Sequence, residues 1–204
     1  MAGALVLGVH ASQRTFRLLL DALAHPGLVL IVNDPPAVAA GAAVVALAFA
    51  RNGSTVAIVG DEQLATEVAE ATLAPLVPLS EARLVALLRP DARLVAECRR
   101  GGGLPSDLGA KVGIACTRLA SYPPRPGAWQ AAVPQADAPG VVLLGLSGPG
   151  VDGVRRVVVE GVGREVFEAG SDANREQSRG LDTWLVDNEG RVLGIARSTA
   201  IEIY

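Results

Sequence analysis

The glycine-rich segment Gly148-Pro149-Gly150-Val151-Asp152-Gly153 satisfies the dinucleotide-binding pattern G-x-G-x-x-G. In a nucleotide site this pattern follows a strand and opens a helix, whose amino terminus receives the pyrophosphate. Here residues 155–159 read Arg-Arg-Val-Val-Val, and β-branched residues favour a strand. The segment therefore predicts a tight glycine-bearing hairpin or bulge, and the nucleotide fingerprint is rejected.

Lys111 is the only lysine, so it is the one residue that could form a Schiff base with pyridoxal phosphate. It lies at the start of a predicted strand, directly after a loop that carries Asp107, and no Ser-x-x-Lys phosphate cradle surrounds it. This setting favours a solvated lysine at a strand edge. A Walker-type ATP site is excluded, because the chain has no Gly-Lys-Ser/Thr sequence.

The histidines and cysteines do not form a recognisable site. His10 and His25 have no second ligand at metal-site spacing, and His25 precedes Pro-Gly at a predicted helix end, where a cation complements the helix dipole. Cys98 and Cys116 form no C-x-x-C motif, and the apolar run around Cys116 indicates a buried structural thiol. No nucleophile can be paired with a base, so the residues alone predict no catalytic site, metal or cofactor.

Composition limits the classes of partner. Half of the 204 residues are hydrophobic, which predicts a folded domain, and the formal net charge of −3 argues against a nucleic-acid partner. The longest apolar stretch, residues 37–50, is too short and too rich in Ala and Gly to span a bilayer. No signal-peptide pattern opens the chain. We therefore expect a soluble cytoplasmic protein without a membrane segment.

The pattern of apolar residues predicts helices early in the chain and strands late. Helices are expected at residues 12–24, 38–50, 62–71 and 91–99, with Ser12 and Asp61 as amino-terminal caps of the first and third. The first helix should end at Pro26-Gly27, because proline cannot continue it and glycine permits the turn. Strands are expected at residues 28–32, 55–59, 76–79, 84–88, 111–119, 141–147, 154–159, 182–187 and 192–196.

This order of elements predicts the α/β class with a mixed sheet. Residues 122–140 contain five prolines and should form a surface loop, whereas Asn188-Glu189-Gly190 should form a hairpin turn. We see no internal repeat and no linker. The sequence therefore predicts one domain over residues 1–204.

Four sequence blocks resemble the H subunit family of the bacterial carbon-phosphorus lyase. Thr15-Phe16-Arg17 through Pro26-Gly27 resembles its Phe-Arg…Pro-Gly opening, and residues 101–110 resemble its Gly-Thr…Pro-Glu-x-Gly-Ala loop. Residues 146–151 are similar to its Leu-Ser/Thr-Gly-Pro-Gly-Ile turn, and residues 180–182 with 194–199 resemble its ending. Together the blocks cover roughly residues 12–203. Two departures are Ala196 in place of a proline and residues 51–54 in place of an acidic turn.

The resemblance implies a fold and a set of partners. The fold would be a three-layer α/β/α sandwich similar to pyridoxal-phosphate-dependent transferases, but without the cofactor or its lysine. The protein would be a homodimer when isolated and would join the G, I and J subunits in a core complex. That complex would transfer the ribose triphosphate part of ATP to an alkylphosphonate, and this subunit would contribute no catalytic residue.

Three arginines are the expected anchors for a partner acid or a phosphate: Arg14, Arg17 and Arg197. Arg17 has an alternative role, an i,i+4 ion pair with Asp21 on the first helix. Pro26, Gly27, Gly148, Pro149 and Gly150 are expected to shape turns, the glycines through backbone angles that a side chain would oppose.

Two alternatives to a partner-binding subunit stay open. One is an enzyme with a reduced pyridoxal-phosphate or nucleotide site around Lys111, Arg99 and Arg100, since paired arginines can bind phosphate in bidentate fashion. The other is a stand-alone regulator that binds phosphorylated ligands without chemistry.

Overall fold

The computed structural model describes residues 5, 7–102, 109–122 and 140–204. Its helices are α1 (Val9–Ala24), α2 (Pro35–Ala39), α3 (Val44–Phe49), α4 (Glu62–Thr72), α5 (Ala92–Glu97) and α6 (Arg164–Ala173), with 3-10 turns at Gly41–Ala43 and Gln177–Arg179. Its strands are β1 (Leu30–Ile31), β2 (Val56–Val59), β3 (Leu84–Leu87), β4 (Lys111–Ala115), β5 (Arg118–Tyr122), β6 (Val141–Ser147), β7 (Arg155–Glu160), β8 (Asp182–Val186), β9 (Arg191–Ile195) and β10 (Ala200–Ile203).

The described strands form two sheets. A six-stranded mixed sheet has the order β1-β9-β8-β4-β3-β2, in which β2, β3, β4 and β8 run parallel and β9 and β1 pair antiparallel. A four-stranded antiparallel sheet has the order β10-β6-β7-β5. The α/β class with a mixed sheet is confirmed. The sequence analysis did not anticipate the second sheet.

The two faces of the six-stranded sheet carry separate apolar cores. On β3, Leu84 and Ala86 face one core while Val85 and Leu87 face the other, because successive side chains of a strand alternate. The core that contains Leu84 and Ala86 also contains residues of α1 to α4. The second core, which contains Val85 and Leu87, also contains residues of α5, α6 and the four-stranded sheet. The layer on this second side therefore combines helices with a sheet, whereas the resemblance implied helices alone.

Helix α1 begins earlier than its sequence pattern suggested. Its amino-terminal cap is Gly8, so the prediction that Ser12 caps the helix is wrong; the Ser12 amide instead donates to the Gly8 carbonyl. The predicted end is confirmed, since α1 stops at Ala24 before Pro26-Gly27. For α4 the predicted cap is confirmed: the Asp61 carboxylate accepts a hydrogen bond from the Leu64 amide at 2.9 Å.

The two turns singled out in the sequence lie against each other. Gly27, Gly148 and Gly150 have φ angles of 86°, 125° and 80°, in the left-handed region that favours glycine. A Cβ atom on Gly150 would lie 1.9 Å from the Ala24 carbonyl oxygen and 3.5 Å from Cδ of Pro26. The Gly148-Pro149-Gly150 turn connects β6 to β7 as a hairpin, as predicted, and also abuts the end of α1.

Several predicted boundaries are wrong. The strand predicted at 111–119 is two strands in different sheets. The helix predicted at 38–50 is divided into three shorter helical segments, the first of which begins at residue 35. In the strand predicted at 76–79, Leu76 makes only an isolated bridge to Val56. The sequence analysis did not identify α6 or β10. Of the predicted proline-rich loop at 122–140, residues 123–139 lie outside the described part of the chain.

The buried carboxylate of Asp187 joins the two sheets at the end of β8. It accepts hydrogen bonds from the amides of Glu189 and Arg191 at 2.9 Å, which closes the predicted hairpin turn between β8 and β9. It also accepts from the Leu119 amide of β5 at 3.2 Å and from the Arg191 guanidinium at 3.1 Å. With four donors, this buried charge is satisfied within the protein.

Close packing of α1 on β9 depends on Gly194. A Cβ atom there would lie within 2.4–2.6 Å of the backbone of Ala22 and Leu23, which cannot move as a side chain can. We predict that Gly194→Ala lowers the free energy of unfolding by about 1–3 kcal/mol, as overpacking does. Urea denaturation followed by circular dichroism measures this change.

Gly170→Ala is the matched control, because a Cβ atom at Gly170 in α6 meets nothing within 4 Å. It should raise the free energy of unfolding by about 0.5–1 kcal/mol, since alanine favours the helix. Equal stabilities for the two variants would contradict the proposed packing of α1 on β9.

Candidate functional site

The amino ends of four neighbouring parallel strands bring polar residues to one edge of the six-stranded sheet. In the sheet order β8-β4-β3-β2 they supply Asp182, Lys111, Arg83 and the turn at residues 51–54. Lys111 is the register partner of Asp182 on β8 and of Leu84 on β3. Arg197 follows β9, which runs antiparallel, and therefore reaches the same edge.

A pocket of about 680 Å³ opens at this edge, within the range of ligand sites. Phe16 of α1 and residues 48–50 at the end of α3 form one side. The turn at 51–54, the start of β3 and Lys111 with Gly109 form the rest. Ligands of open α/β sheets usually bind at the carboxyl ends of the strands, whereas this pocket lies at the amino ends.

Backbone hydrogen bonds hold the basic residues in place. The Lys111 amide donates to the Arg83 carbonyl at 2.9 Å, and the Arg83 amide donates to the Thr55 hydroxyl at 3.0 Å. The Arg51 amide donates to the Ser54 hydroxyl at 3.0 Å, and the Ser54 amide donates back to the Arg51 carbonyl at 2.9 Å. Each cation thus extends from a fixed backbone.

The charge of the pocket is largely uncompensated. Within the described residues, the side chains of Arg51, Arg83 and Lys111 form no ion pair. Asp182 is the nearby carboxylate, and it is occupied by Arg197: Nε lies 3.0 Å from Oδ1 and Nη2 lies 2.5 Å from Oδ2. The site therefore carries excess positive charge in a chain of net negative charge.

Three aromatic side chains in successive contact, Trp184, Phe49 and Phe16, connect the core to the pocket. The indole of the fully buried Trp184 on β8 donates to the Leu19 carbonyl of α1 at 2.9 Å. The Phe49 ring centroid lies 5.1 Å from that of Trp184, and the Phe16 centroid lies 5.1 Å from that of Phe49. The Lys111 ammonium lies 5.6 Å from the centroid of Phe49, within cation–π range.

Lys111 is not the solvated strand-edge lysine that the sequence suggested. Its side chain is half-buried, and burial lowers the pKa of its ammonium from the ordinary value. Asp182 raises that pKa, while Arg197, Arg51 and Arg83 lower it further. The prediction was wrong because a strand end is exposed only where no helix covers it, and α3 and α1 cover this one.

The three predicted anchor arginines lie in different environments. Arg14 is exposed and pairs with Asp34 at 2.7 Å, and Arg17 is exposed on α1. The alternative role for Arg17 is not observed, because Asp21 instead pairs with His25 at 3.0 Å. Arg197 is largely buried against Asp182, and its Nη1 has no hydrogen-bond partner among the described residues.

Arg99 and Arg100 do not line the Lys111 pocket. Arg100 lines a separate depression with Asp172, Glu176 and Arg179, on the side of the sheet that α6 covers. The pocket at Lys111 is therefore lined by other arginines than the two that the sequence suggested. The sequence did not predict that Arg51 and Arg83 line a pocket with Lys111, because the three residues come together only through the order of the strands. The one local signal of this pocket was the turn at residues 51–54, which departs from the acidic turn of the family pattern.

The remaining candidate residues form no second chemical site. Cys98 and Cys116 are buried and free, and burial raises the pKa of the Cys98 thiol to about 12 and raises that of Cys116 as well. The described part of the chain contains no group of three or more His, Cys, Asp or Glu side chains placed to hold a metal ion. Nor does any helix among the described residues have the length and apolar character to cross a membrane.

Removal of the Lys111 charge should stabilise the folded chain. Its pKa is lowered on folding, so below the folded-state pKa the folded state carries the cost of burying the charge. That cost is relieved as pH rises through the folded-state pKa toward the unfolded value of about 10.5. We predict that Lys111→Met unfolds at a higher temperature than the wild type at pH 7, and that the difference shrinks above the folded-state pKa. Calorimetry across this range measures it, and a lower melting temperature for Lys111→Met at pH 7 contradicts the assignment.

The Arg197–Asp182 pair should stabilise the pocket edge. Its side chains are only 15% and 14% exposed, so Arg197→Met leaves a poorly solvated carboxylate and should cost about 2–4 kcal/mol. The exposed Arg14–Asp34 pair is the control, and Arg14→Met should cost less than about 1 kcal/mol. In urea denaturation, the double variant Asp182→Asn/Arg197→Met should be less destabilised than the sum of its single changes. Additive effects would show that the pair is not coupled.

Comparison with known proteins identifies the family. A profile described as bacterial phosphonate metabolism protein (PhnH) matches residues 4–202, nearly the whole chain. No curated protein matches this chain. The match includes every element that forms the pocket. The chain therefore belongs to the bacterial phosphonate metabolism protein (PhnH) family.

Proposed function

We propose that this protein is a partner-binding subunit of the bacterial carbon-phosphorus lyase core complex and contributes no catalytic residue of its own. It would assemble with the G, I and J subunits in the cytoplasm and help them transfer the ribose triphosphate part of ATP to an alkylphosphonate. The observation that carries this proposal is the family match over residues 4–202, which assigns the chain to phosphonate metabolism.

The two cysteines and His25 are not arranged as an activated nucleophile. The two cysteines are buried with raised pKa values, and the exposed His25 ring faces Asp21 at a helix end rather than a nucleophile. Acyl or phosphoryl transfer through a covalent intermediate needs a nucleophile activated by a neighbouring base. Cys98, Cys116 and His25 form no such pair with one another.

Exposed apolar side chains on α1 and β1 support a partner surface. Val9, Phe16 and Leu20 recur at helical spacing on α1 and are 83%, 36% and 42% exposed. Ile31 on β1, a strand at the edge of the six-stranded sheet, is 52% exposed. An edge strand beside exposed apolar residues can pair with another chain. We assign this surface either to the homodimer contact or to a partner subunit.

Co-expression with the G, I and J subunits tests the proposal. We expect the four proteins to co-purify and the complex to release adenine from ATP with methylphosphonate, whereas this chain alone does not. Leu20→Asp should abolish co-purification or the homodimer, because it places a charge on the apolar surface. Light scattering and the adenine assay measure both effects.

Leu73→Asp is the control, since Leu73 is 90% exposed at the end of α4 and is not part of the apolar stripe on α1. It should leave assembly unchanged. Turnover by the isolated chain, or a full complex that is equally active without it, would overturn the proposal.

A second candidate function is favoured by Lys111. Its half-buried, lowered-pKa ammonium is suited to a stand-alone protein that binds a phosphate or nucleotide ligand, or to an enzyme with a divergent pyridoxal-phosphate-transferase-like site. In the enzyme, Lys111 would hold the cofactor, and the cofactor would supply an electron-withdrawing ring to the reaction. An absorbance band on adding pyridoxal phosphate, absent in Lys111→Ala, supports this candidate; a colourless mixture removes it.

A further inference from the structure

The pocket at the amino ends of β2, β3 and β4 has the charge distribution of an anion site. Arg51, Arg83 and Lys111 approach it from three separate strand ends, and among the described residues none of the three forms an ion pair, since the nearby carboxylate of Asp182 is paired with Arg197. Burying part of the Lys111 ammonium beside other cations costs stability unless a ligand compensates the charge. Such an arrangement is retained most readily where an anion binds.

The other wall of the same pocket is apolar. Phe16 and Phe49 stand at 5.1 Å and an interplanar angle of 59°, and Phe49 is held against Trp184. The Phe16 side chain is 36% exposed, so part of its ring is available to a ligand. An aromatic wall opposite a cationic wall suits a molecule with an anionic group at one end and an apolar or planar group at the other.

We propose that this pocket binds an organic phosphate or phosphonate, with its oxyanion on Arg51, Arg83 and Lys111 and its apolar part against Phe16 and Phe49. The arginines present several N–H donors to the tetrahedral oxyanion, and the lysine acts as a compact charge. Ser54 also lines the pocket, and its hydroxyl accepts a hydrogen bond from the Arg51 amide.

The assignment goes beyond the proposed subunit role and does not require the complex. The pocket lies within one chain, so the isolated protein should bind the ligand. A protein that binds the ligand but fails to co-purify with the lyase subunits would overturn the subunit role and leave the pocket assignment standing. A protein that co-purifies with the lyase subunits but does not bind the ligand would overturn the pocket assignment and leave the subunit role standing.

Titration calorimetry of the isolated protein with phenyl phosphate and with inorganic phosphate tests the proposal. At about 20 mM salt, where charges are weakly screened, we expect both to bind and phenyl phosphate to bind more tightly. Raising the salt to about 200 mM should weaken both. The variants Arg83→Met and Lys111→Met should each lower the affinity about tenfold, since each removes a charge-assisted contact.

Arg89→Met is the matched control. Arg89 is exposed and follows the carboxyl end of β3, whereas Arg83 precedes the amino end of the same strand. This change should alter the affinity less than about twofold. Arg83 is also exposed, so its replacement tests the site without a change in the core.

Two results would overturn the proposal. One is that neither ligand binds at a concentration of about 10 mM and low salt, since this concentration is well above the dissociation constants of ordinary sites. The other is an equal loss of affinity in Arg83→Met and Arg89→Met, which would indicate general attraction to surface charge. Equal affinity for the two ligands, together with no effect of Phe16→Ala, would overturn the aromatic part of the assignment.

Discussion

The hydrogen bond from the Trp184 indole to the Leu19 carbonyl fixes α1 on the six-stranded sheet. A fully buried indole without an acceptor would lose a hydrogen bond that it makes in water, so this bond favours one position of the helix. Phe49 then packs on Trp184, and Phe16 and Lys111 both contact Phe49. The geometry of the pocket therefore depends on a contact in the core.

Glycines on the face of the six-stranded sheet that packs against α1 to α4 allow the helices to lie close to the strands. A Cβ atom on Gly113 would lie 2.1 Å from the Ala42 carbonyl oxygen, and one on Gly194 would lie 2.4 Å from the Ala22 backbone in α1. The backbone of the helical layer thus lies directly on β4 and β9. Lys111 is only two residues before Gly113 on the same strand, so this close approach also brings the helical layer near its half-buried side chain.

The sequence was informative where a property is local. The end of α1 at Pro26-Gly27, the Asp61 cap and the hairpin at Gly148-Pro149-Gly150 depend on residues a few positions apart, so they could be predicted. The pocket could not, because Arg51, Arg83 and Lys111 meet only through the parallel order of β2, β3 and β4. Helix α6 was missed because Gly170, Ser171 and Asp172 weaken its helical pattern, while Val166 and Phe167 bury into the core and stabilise it.

Phe16 belongs both to the exposed apolar stripe of α1 and to the wall of the pocket. A protein that packs on this stripe must therefore touch the rim of the pocket, and a ligand that orders the Phe16 ring changes the surface offered to that protein. If the pocket binds a ligand and α1 binds a partner as proposed, the two binding equilibria are linked through this one side chain. By reciprocity, each event shifts the equilibrium constant of the other by the same factor.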